Sequence, residues 1–222
     1  MHFSEWEPVY EEILSDLNIS RTSDEASARY LKVLTLNSDI ISEDDLIPMI
    51  GAEVVVAGGA ISRDGVIRLK NGPKRTIISA GSATDVLIQN GLIPDIVVTD
   101  LDGDAELQKK ASASGSVTLV HAHGDNAELI AKHVGDLKGR IMITTQSTPD
   151  MVLCNFGGFT DGDRAVCLAR HFGAKRITLA GFNFDEPAVK PGTDKEMKRR
   201  KLAWAKRIIF DMNPADVVIT ME

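Results

Sequence analysis

Three carboxylates follow one another at two-residue spacing in Leu92-Ile-Pro-Asp-Ile-Val-Val-Thr-Asp-Leu-Asp-Gly-Asp104, as Asp100, Asp102 and Asp104. Clustered like charges repel and raise one another's pKa, so such a group needs a cation or a well-solvated turn to compensate it. Pro94 opens an extended segment, and Ile96 to Val98 can be buried on both faces of a sheet. The carboxylates therefore stand where a strand runs out. At the carboxyl end of a parallel strand, Asp100 and Asp102 read as holders of Mg²⁺ in a site for phosphates. The plainer alternative is a solvated acidic turn.

Two more segments carry polar side chains at close spacing. His121-Ala-His-Gly-Asp-Asn126 offers His123, Asp125 and Asn126, with no further His or Cys placed to complete a zinc site. Asp125 also fits a helix N-cap, with Glu128 three residues on, yet its turn falls on the same sheet edge as Asp100. In Asn155-Phe-Gly-Gly-Phe-Thr-Asp-Gly-Asp-Arg-Ala165, Gly157, Gly158 and Gly162 point to close approach of the backbone to something. Thr160 or Asp161 can cap the helix that follows, and Asp163 and Arg164 fall in its first turn. Capping accounts for one such residue, not for two carboxylates, an arginine and three glycines. Phe156 or Phe159 could stack on a flat ring held there.

Phosphate could also meet main chain. Ala57-Gly-Gly-Ala60 and Ala80-Gly-Ser-Ala83 can bring backbone N–H groups to an anion at a helix start, with Gly81, Ser82 and Ala83 as nucleotide contacts. Neither is a Walker A loop, and a βα turn with Ser82 and Asp85 as a capping box explains the second equally well. Lys198 and Lys201 lie three apart on one face of a basic helix that runs from Lys195 to Arg207. They are candidates to neutralise a polyphosphate, while solvated surface accounts for most of the other charges.

These residues need elements to hold them. Trp6, Val9, Ile13, Leu14 and Leu17 recur at helical spacing, as do Ala26, Tyr30, Val33 and Leu34, with Ser23 or Asp24 as the cap of the second helix. Residues 1–50 thus form an N-terminal helical segment ahead of a domain over 51–222. That domain alternates β-branched runs (Glu53–Ala57, Arg75–Ser79, Asp95–Thr99, Ser116–Val120, Arg140–Thr144, Arg176–Ala180, Asp216–Thr220) with helices over Ala83–Asn90, Ala105–Ser114, Asn126–Val134, Gly162–Phe172 and Lys195–Asp211. The pattern predicts an α/β fold, a mostly parallel open sheet with helices on both faces. Small and polar residues follow six of the runs, and a parallel sheet puts all six turns along one edge, where ligands bind.

Composition narrows the field. The chain has 222 residues, 43% hydrophobic and 26% charged, which suits one globular domain with an appendage. A net charge of −7 argues against a general nucleic-acid binder. The charge is polarised: residues 1–50 carry eleven acidic against three basic side chains, and residues 190–207 carry eight basic against two acidic. No apolar run approaches the ~20 residues that span a bilayer, and the first residues lack the pattern of a signal peptide. Cys154 and Cys167 are expected to be reduced core residues. A cytoplasmic location follows, with no membrane or nucleic-acid partner expected and room for a homodimer.

Pro94-Asp-Ile-Val-Val-Thr-Asp-Leu-Asp102 resembles the strand end of thiamine pyrophosphokinases. With His121–Asn126 and Gly158–Arg164 it more closely resembles archaeal 6-hydroxymethyl-7,8-dihydropterin pyrophosphokinases of the MptE-like family. The likeness in motif order runs from about residue 53 to the basic helix. It departs at Ala80-Gly-Ser-Ala83, where relatives usually carry an Asp. The resemblance implies a thiamine-pyrophosphokinase-like fold and Mg²⁺-dependent transfer of pyrophosphate from ATP to the hydroxymethyl group of a pterin, releasing AMP. With that reaction go Asp100, Asp102 and Asp125 as catalytic residues, the first two on the metal, with Gly81, Ser82, Ala83, Lys198 and Lys201 on the nucleotide; Asp125, Asp161 or Asp163 could take the hydroxyl proton. His123, Asn126, Gly158, Phe159, Thr160, Asp161, Asp163 and Arg164 are then the pterin contacts. Three other readings stand beside it: a pyrophosphokinase with another alcohol as acceptor, a haloacid-dehalogenase-like phosphatase with Asp100 as nucleophile, and a nucleotide-binding protein without catalysis.

Overall fold

The computed structural model describes residues 1–185 and 194–222; Lys190 of the basic stretch lies outside them. Among the described residues, eight strands form one sheet in the order β6-β5-β4-β3-β2-β1-β7-β8. They are β1 (Glu53–Ala57), β2 (Thr76–Ala80), β3 (Ile96–Thr99), β4 (Val117–Ala122), β5 (Ile141–Thr145), β6 (Leu153–Cys154), β7 (Arg176–Ala180) and β8 (Val218–Met221). Every neighbouring pair is parallel. The chain lays down β1 to β6 in one direction, then returns to place β7 against the other side of β1. That reversal opens a crevice at the carboxyl ends of β1 and β7, the usual seat of ligands in open α/β sheets.

The seven predicted strands are all present, two with the predicted bounds and five displaced by one or two residues at an end. Their apolar runs are explained by burial on both faces. Val54 and Val56 pack with Ile78, Val98 and Val166 in one layer, while Val55 and Ala57 pack with Val66, Leu69 and Leu87 in the other. Two elements escaped the sequence reading. Helix α4 (Arg63–Asn71), capped by Ser62, has the short apolar stripe Val66 and Leu69, and β6 is only two residues long. The other helices of the sheet region are α5 (Ala83–Gln89), α6 (Ala105–Ala113), α7 (Ala127–His133), α8 (Asp161–His171) and α9 (Lys195–Lys206). A π-helical turn, Arg207–Asp211, extends α9, and Arg170 donates to the carbonyls of Ile208 and Ile209 there. Of the two cysteines, both free, Cys167 is buried and Cys154 only partly so.

Ahead of the sheet, α1 (Phe3–Leu17) buries Trp6, Tyr10 and Ile13 against Phe159, Cys167 and Ile208. Its acidic face meets α9: Arg200 reaches Asp16 at 2.8 Å, Arg207 reaches Glu12 at 2.7 Å, and Trp204 donates to Asp16 at 2.9 Å. The opposite charges of the two ends therefore answer each other within one chain. Helix α2 (Arg21–Leu34) is capped by Ser20, whose Oγ accepts from Ser23 N. Neither Ser23 nor Asp24 is the cap. Asp24 is fully buried and turned toward the sheet. The short helix α3 (Glu43–Leu46) leads into β1.

Candidate active site

A cavity of about 470 Å³ occupies the crevice, and all six of the turns singled out in the sequence contribute to it. Gly58, Gly59 and Ala60 come from the end of β1, Gly81 and Ser82 from β2, Asp100 and Asp102 from β3. His123 and Asp125 follow β4, Gln146 follows β5, and Gly181 to Phe184 follow β7. Lys198, Lys201 and Leu202 of α9 close one side.

The acidic turn after β3 is shaped by the residue between its two carboxylates. Leu101 has φ 69°, a left-handed conformation that costs a non-glycine residue roughly 1–2 kcal/mol. Its side chain is buried with Leu31, Val120 and Ile130, and its N–H donates to Thr99 Oγ1 at 2.9 Å. Packing therefore holds the strained turn, and Asp100 and Asp102 both line the cavity. Asp100 Oδ1 accepts from Asp102 N at 3.1 Å, and Oδ2 meets His123 Nε2 at 3.4 Å. Asp125 N donates to His123 Nδ1 at 3.4 Å, which leaves Nε2 of the ring turned to Asp100. Burial would raise the Asp100 carboxyl, but the hydrogen bond and charge of His123, with Arg164 behind, hold it at about 2. Asp104 turns away and caps α6, accepting from Glu106 N and Leu107 N.

The start of α8 is built differently. Thr160 is the N-cap, and Asp163 completes a capping box, accepting from Phe159 N at 2.6 Å, Thr160 N at 2.8 Å and the Thr160 hydroxyl. With its oxygens so occupied and no exposure, Asp163 does not reach the cavity. Asp161 does, where it pairs with Arg164 at 3.1 Å. Burial pushes the Asp161 carboxyl well above the usual range, Asp100 and Asp102 push it further, and Arg164 opposes them.

Several expected contacts are redirected by this geometry. Asn126 is buried and acts as a clip: its amide donates to the carbonyls of Asp100 and His121, while its oxygen accepts from His123 N. It is also the N-cap residue of α7, so Asp125 is not, and Asp125 stands exposed at the cavity mouth. Gly158, at φ 93°, approaches Arg164 so closely that a Cβ would meet that residue's Cα at 2.5 Å. The protein's own helix, not a flat ring, is what needs that glycine. Phe156 packs on His171 and Phe172 away from the site, whereas Phe159 lines it beneath the Lys201 ammonium at 5.8 Å. Gly81, at φ 52°, leaves room for Asp161, whose Oδ2 would stand 2.8 Å from a Cβ. Ser82 makes no capping bond, and Asp85 instead accepts from Asp104 N at 3.1 Å. Ala83 is buried behind the turn, outside the lining.

Sequence reasoning missed Asp24 and Gln146. Both are buried and both line the cavity. The one available signal was an acid on the apolar face of α2, beside Ser27, Ala28 and Leu31.

Among the described residues no group of three or more His, Cys, Asp or Glu side chains could hold a metal ion by itself. Two carboxylates that share a cavity with two lysines suit Mg²⁺, which retains waters and shares phosphate oxygens. No helix among the described residues is long and apolar enough to cross a membrane.

An open parallel sheet with a paired-carboxylate turn and two lysines at its switch point defines a phosphate-handling α/β enzyme. The match with known proteins is narrower: residues 52–188 fit the model of the family described as 6-hydroxymethylpterin diphosphokinase MptE-like. The chain belongs to that family and is a diphosphokinase. Its relatives include the 6-hydroxymethyl-7,8-dihydropterin pyrophosphokinases of Methanothermobacter thermautotrophicus, 39% identical, and Methanocaldococcus jannaschii, 36% identical. These alignments cover 94% of this chain and 94% and 95% of the relatives. A glycosyltransferase from Magnetospirillum magneticum is similar over 78% of this chain and 34% of its own, at TM-score 0.48 and 18% identity, a likeness that bears on neither mechanism nor substrate. Membership in the family removes the phosphatase reading of Asp100.

Proposed function

We propose that the enzyme transfers the β,γ-pyrophosphoryl group of ATP to the hydroxymethyl oxygen of 6-hydroxymethyl-7,8-dihydropterin and releases AMP. The observation that carries this is the cavity in which Asp100, Asp102, Lys198 and Lys201 face a polar rim and an aromatic side chain, Phe159. The names of the archaeal relatives support the acceptor.

In the reaction a bond forms between the acceptor oxygen and the β-phosphorus, the bond from that phosphorus to the α-phosphate oxygen breaks, and the hydroxyl proton leaves to a base. Displacement at phosphorus asks the protein for position and charge more than for covalent help. Asp100 and Asp102 would hold Mg²⁺ with the phosphates, and the ion would supply charge neutralisation there. Asp100, whose carboxyl is held down at about 2 and is therefore ionised well above that pH, is suited to that task. Lys198 and Lys201 offset the remaining phosphate charge, and the backbone at Gly81 and Ser82 approaches it from the β2 turn. Asp125 at the mouth is the candidate base for the hydroxyl. Asp161 accepts from the amino and ring N–H groups of the pterin, with Phe159 stacked on the ring and His123, Thr160 and Arg164 holding the polar side.

Product analysis tests the reading. With Mg²⁺, ATP and the pterin, the native protein should form AMP and the pterin diphosphate in equal amounts. Orthophosphate in place of AMP would sink it. AMP formed only with a different alcohol would keep the chemistry and change the acceptor.

A further inference from the structure

The N-terminal segment reaches the site through one buried carboxylate. Asp24 Oδ1 accepts from Gly124 N at 2.7 Å, and Oδ2 accepts from Tyr10 Oη at 2.5 Å and from Gln146 Nε2 at 2.6 Å. The other end of the Gln146 amide accepts from Arg164 Nη2 at 3.0 Å, and Arg164 Nη1 donates to Asp161 Oδ1 at 3.1 Å. The chain of bonds thus has a direction, from Arg164 through Gln146 to Asp24. A carboxylate can only accept, so it dictates which end of the amide faces it. Reversing the amide would set its NH₂ against the guanidinium and its carbonyl against the carboxylate, two unfavourable pairings at once. The second arm of Asp24 holds the turn between His123 and Asp125, and His123 meets Asp100.

We infer that Asp24 is a positioning residue for the reaction, fixing Gln146 so that Arg164 and Asp161 are aimed at the cavity while anchoring the turn that carries His123. The inference rests on the pyrophosphoryl-transfer reading above. It assigns the acidic helical segment a part in the chemistry, although the groups placed on phosphate and metal all come from the domain that follows it. Tyr10 and the Trp6 indole, which donates to the main-chain carbonyl of Gln146 at 2.8 Å, hold the junction in place.

The polarity of the chain supplies the experiment. In Asp24→Asn the new amide can satisfy Gly124, but it cannot accept from Gln146 while also meeting Tyr10 as before. The amide of Gln146 is then free to turn. At metal sites, loss of an outer-shell orienting partner lowers activity about ten- to a hundredfold; a fall in kcat of about tenfold is expected here, with little change in KM for ATP. Asp24→Asn combined with Gln146→Glu restores a consistent direction, because the amide introduced at position 24 donates to the new carboxylate and Arg164 still donates to it. The double variant keeps the native charge and should recover most of the lost kcat, which repair of packing alone would not achieve. Gln146→Met, which removes the link and leaves the main chain intact, should match the single Asp24 variant and stands in for it if that variant does not fold. The inference is overturned by native kcat in Asp24→Asn or Gln146→Met, or by a double variant no better than the single one. Native protein that makes no AMP would instead overturn the proposed reaction itself.

Discussion

Asp100 and Asp102 lie in the turn after β3, Asp161 and Asp163 in the first turn of α8, and the same two-residue spacing has different consequences in the two places. On a helix, residues i and i+2 point about 200° apart. Asp161 therefore faces the cavity, while Asp163 folds back on Thr160 and is consumed by the cap. In the turn, Leu101 takes the odd position, buries its side chain, and leaves both neighbouring carboxylates on the cavity wall. Electrostatics separate the pairs further. His123 keeps Asp100 ionised, whereas burial and the negative charges nearby favour the protonated form of Asp161. A carboxylate motif is thus informative only with the backbone that displays it.

The comparison is broken most directly by chemistry at the turn. Asp100→Asn and Asp102→Asn should each reduce turnover at saturating Mg²⁺ by about a hundredfold or more, with the thermal midpoint near native. Full activity in either variant would remove the metal assignment.

At α8 the expected losses are of different kinds. Asp163→Ala removes a buried box that satisfies three donors and should cost about 2 kcal/mol, or roughly 4–8 °C in Tm. Asp161→Ala should leave Tm close to native and weaken pterin binding, as read by calorimetry with each ligand alone. Equal destabilisation by the two would mean that Asp161, too, is structural.

Acid–base linkage sharpens the contrast. The folded pKa of Asp161 is raised above its ordinary 3.8, so the folded state keeps a proton that the unfolded state loses, and stability falls as pH rises above that value. The folded pKa of Asp100 is depressed to about 2, so its contribution is complete above its ordinary 3.8 and is lost as pH falls through about 2. Urea unfolding in EDTA, followed upward from pH 4, should show a smaller decline in Asp161→Asn than in the native protein. An unchanged slope would mean that Asp161 is not the group responsible.

The smallest effects are expected on α9. Lys198→Ala and Lys201→Ala should each raise KM for ATP about two- to fivefold, the scale of a partly exposed charge pair. They should also flatten its salt dependence, since the screened charge is gone. Initial rates at two ionic strengths measure both.

Alternation of β-branched runs with helices determined the parallel sheet, because strands buried on both faces must be apolar throughout and each crossover needs a helix. The same rule placed six turns on one edge and so brought Asp100, Asp102, His123 and Asp125 together before any coordinates, whereas Lys198 and Lys201 stood out only as charges on a basic helix until the fold set them at the cavity. Local sequence offered Thr160 or Asp161 as the cap of α8, and gave no sign that the capping box would use up Asp163. Tertiary structure alone decided the rest. Gly158 and Asn126 serve the protein's own packing, and Gly81 makes room for Asp161, because only contact across elements shows what fills the space a glycine leaves. Asp24 and Gln146 stand 122 residues apart, and a hydrogen bond between them has no period or spacing by which a sequence could announce it.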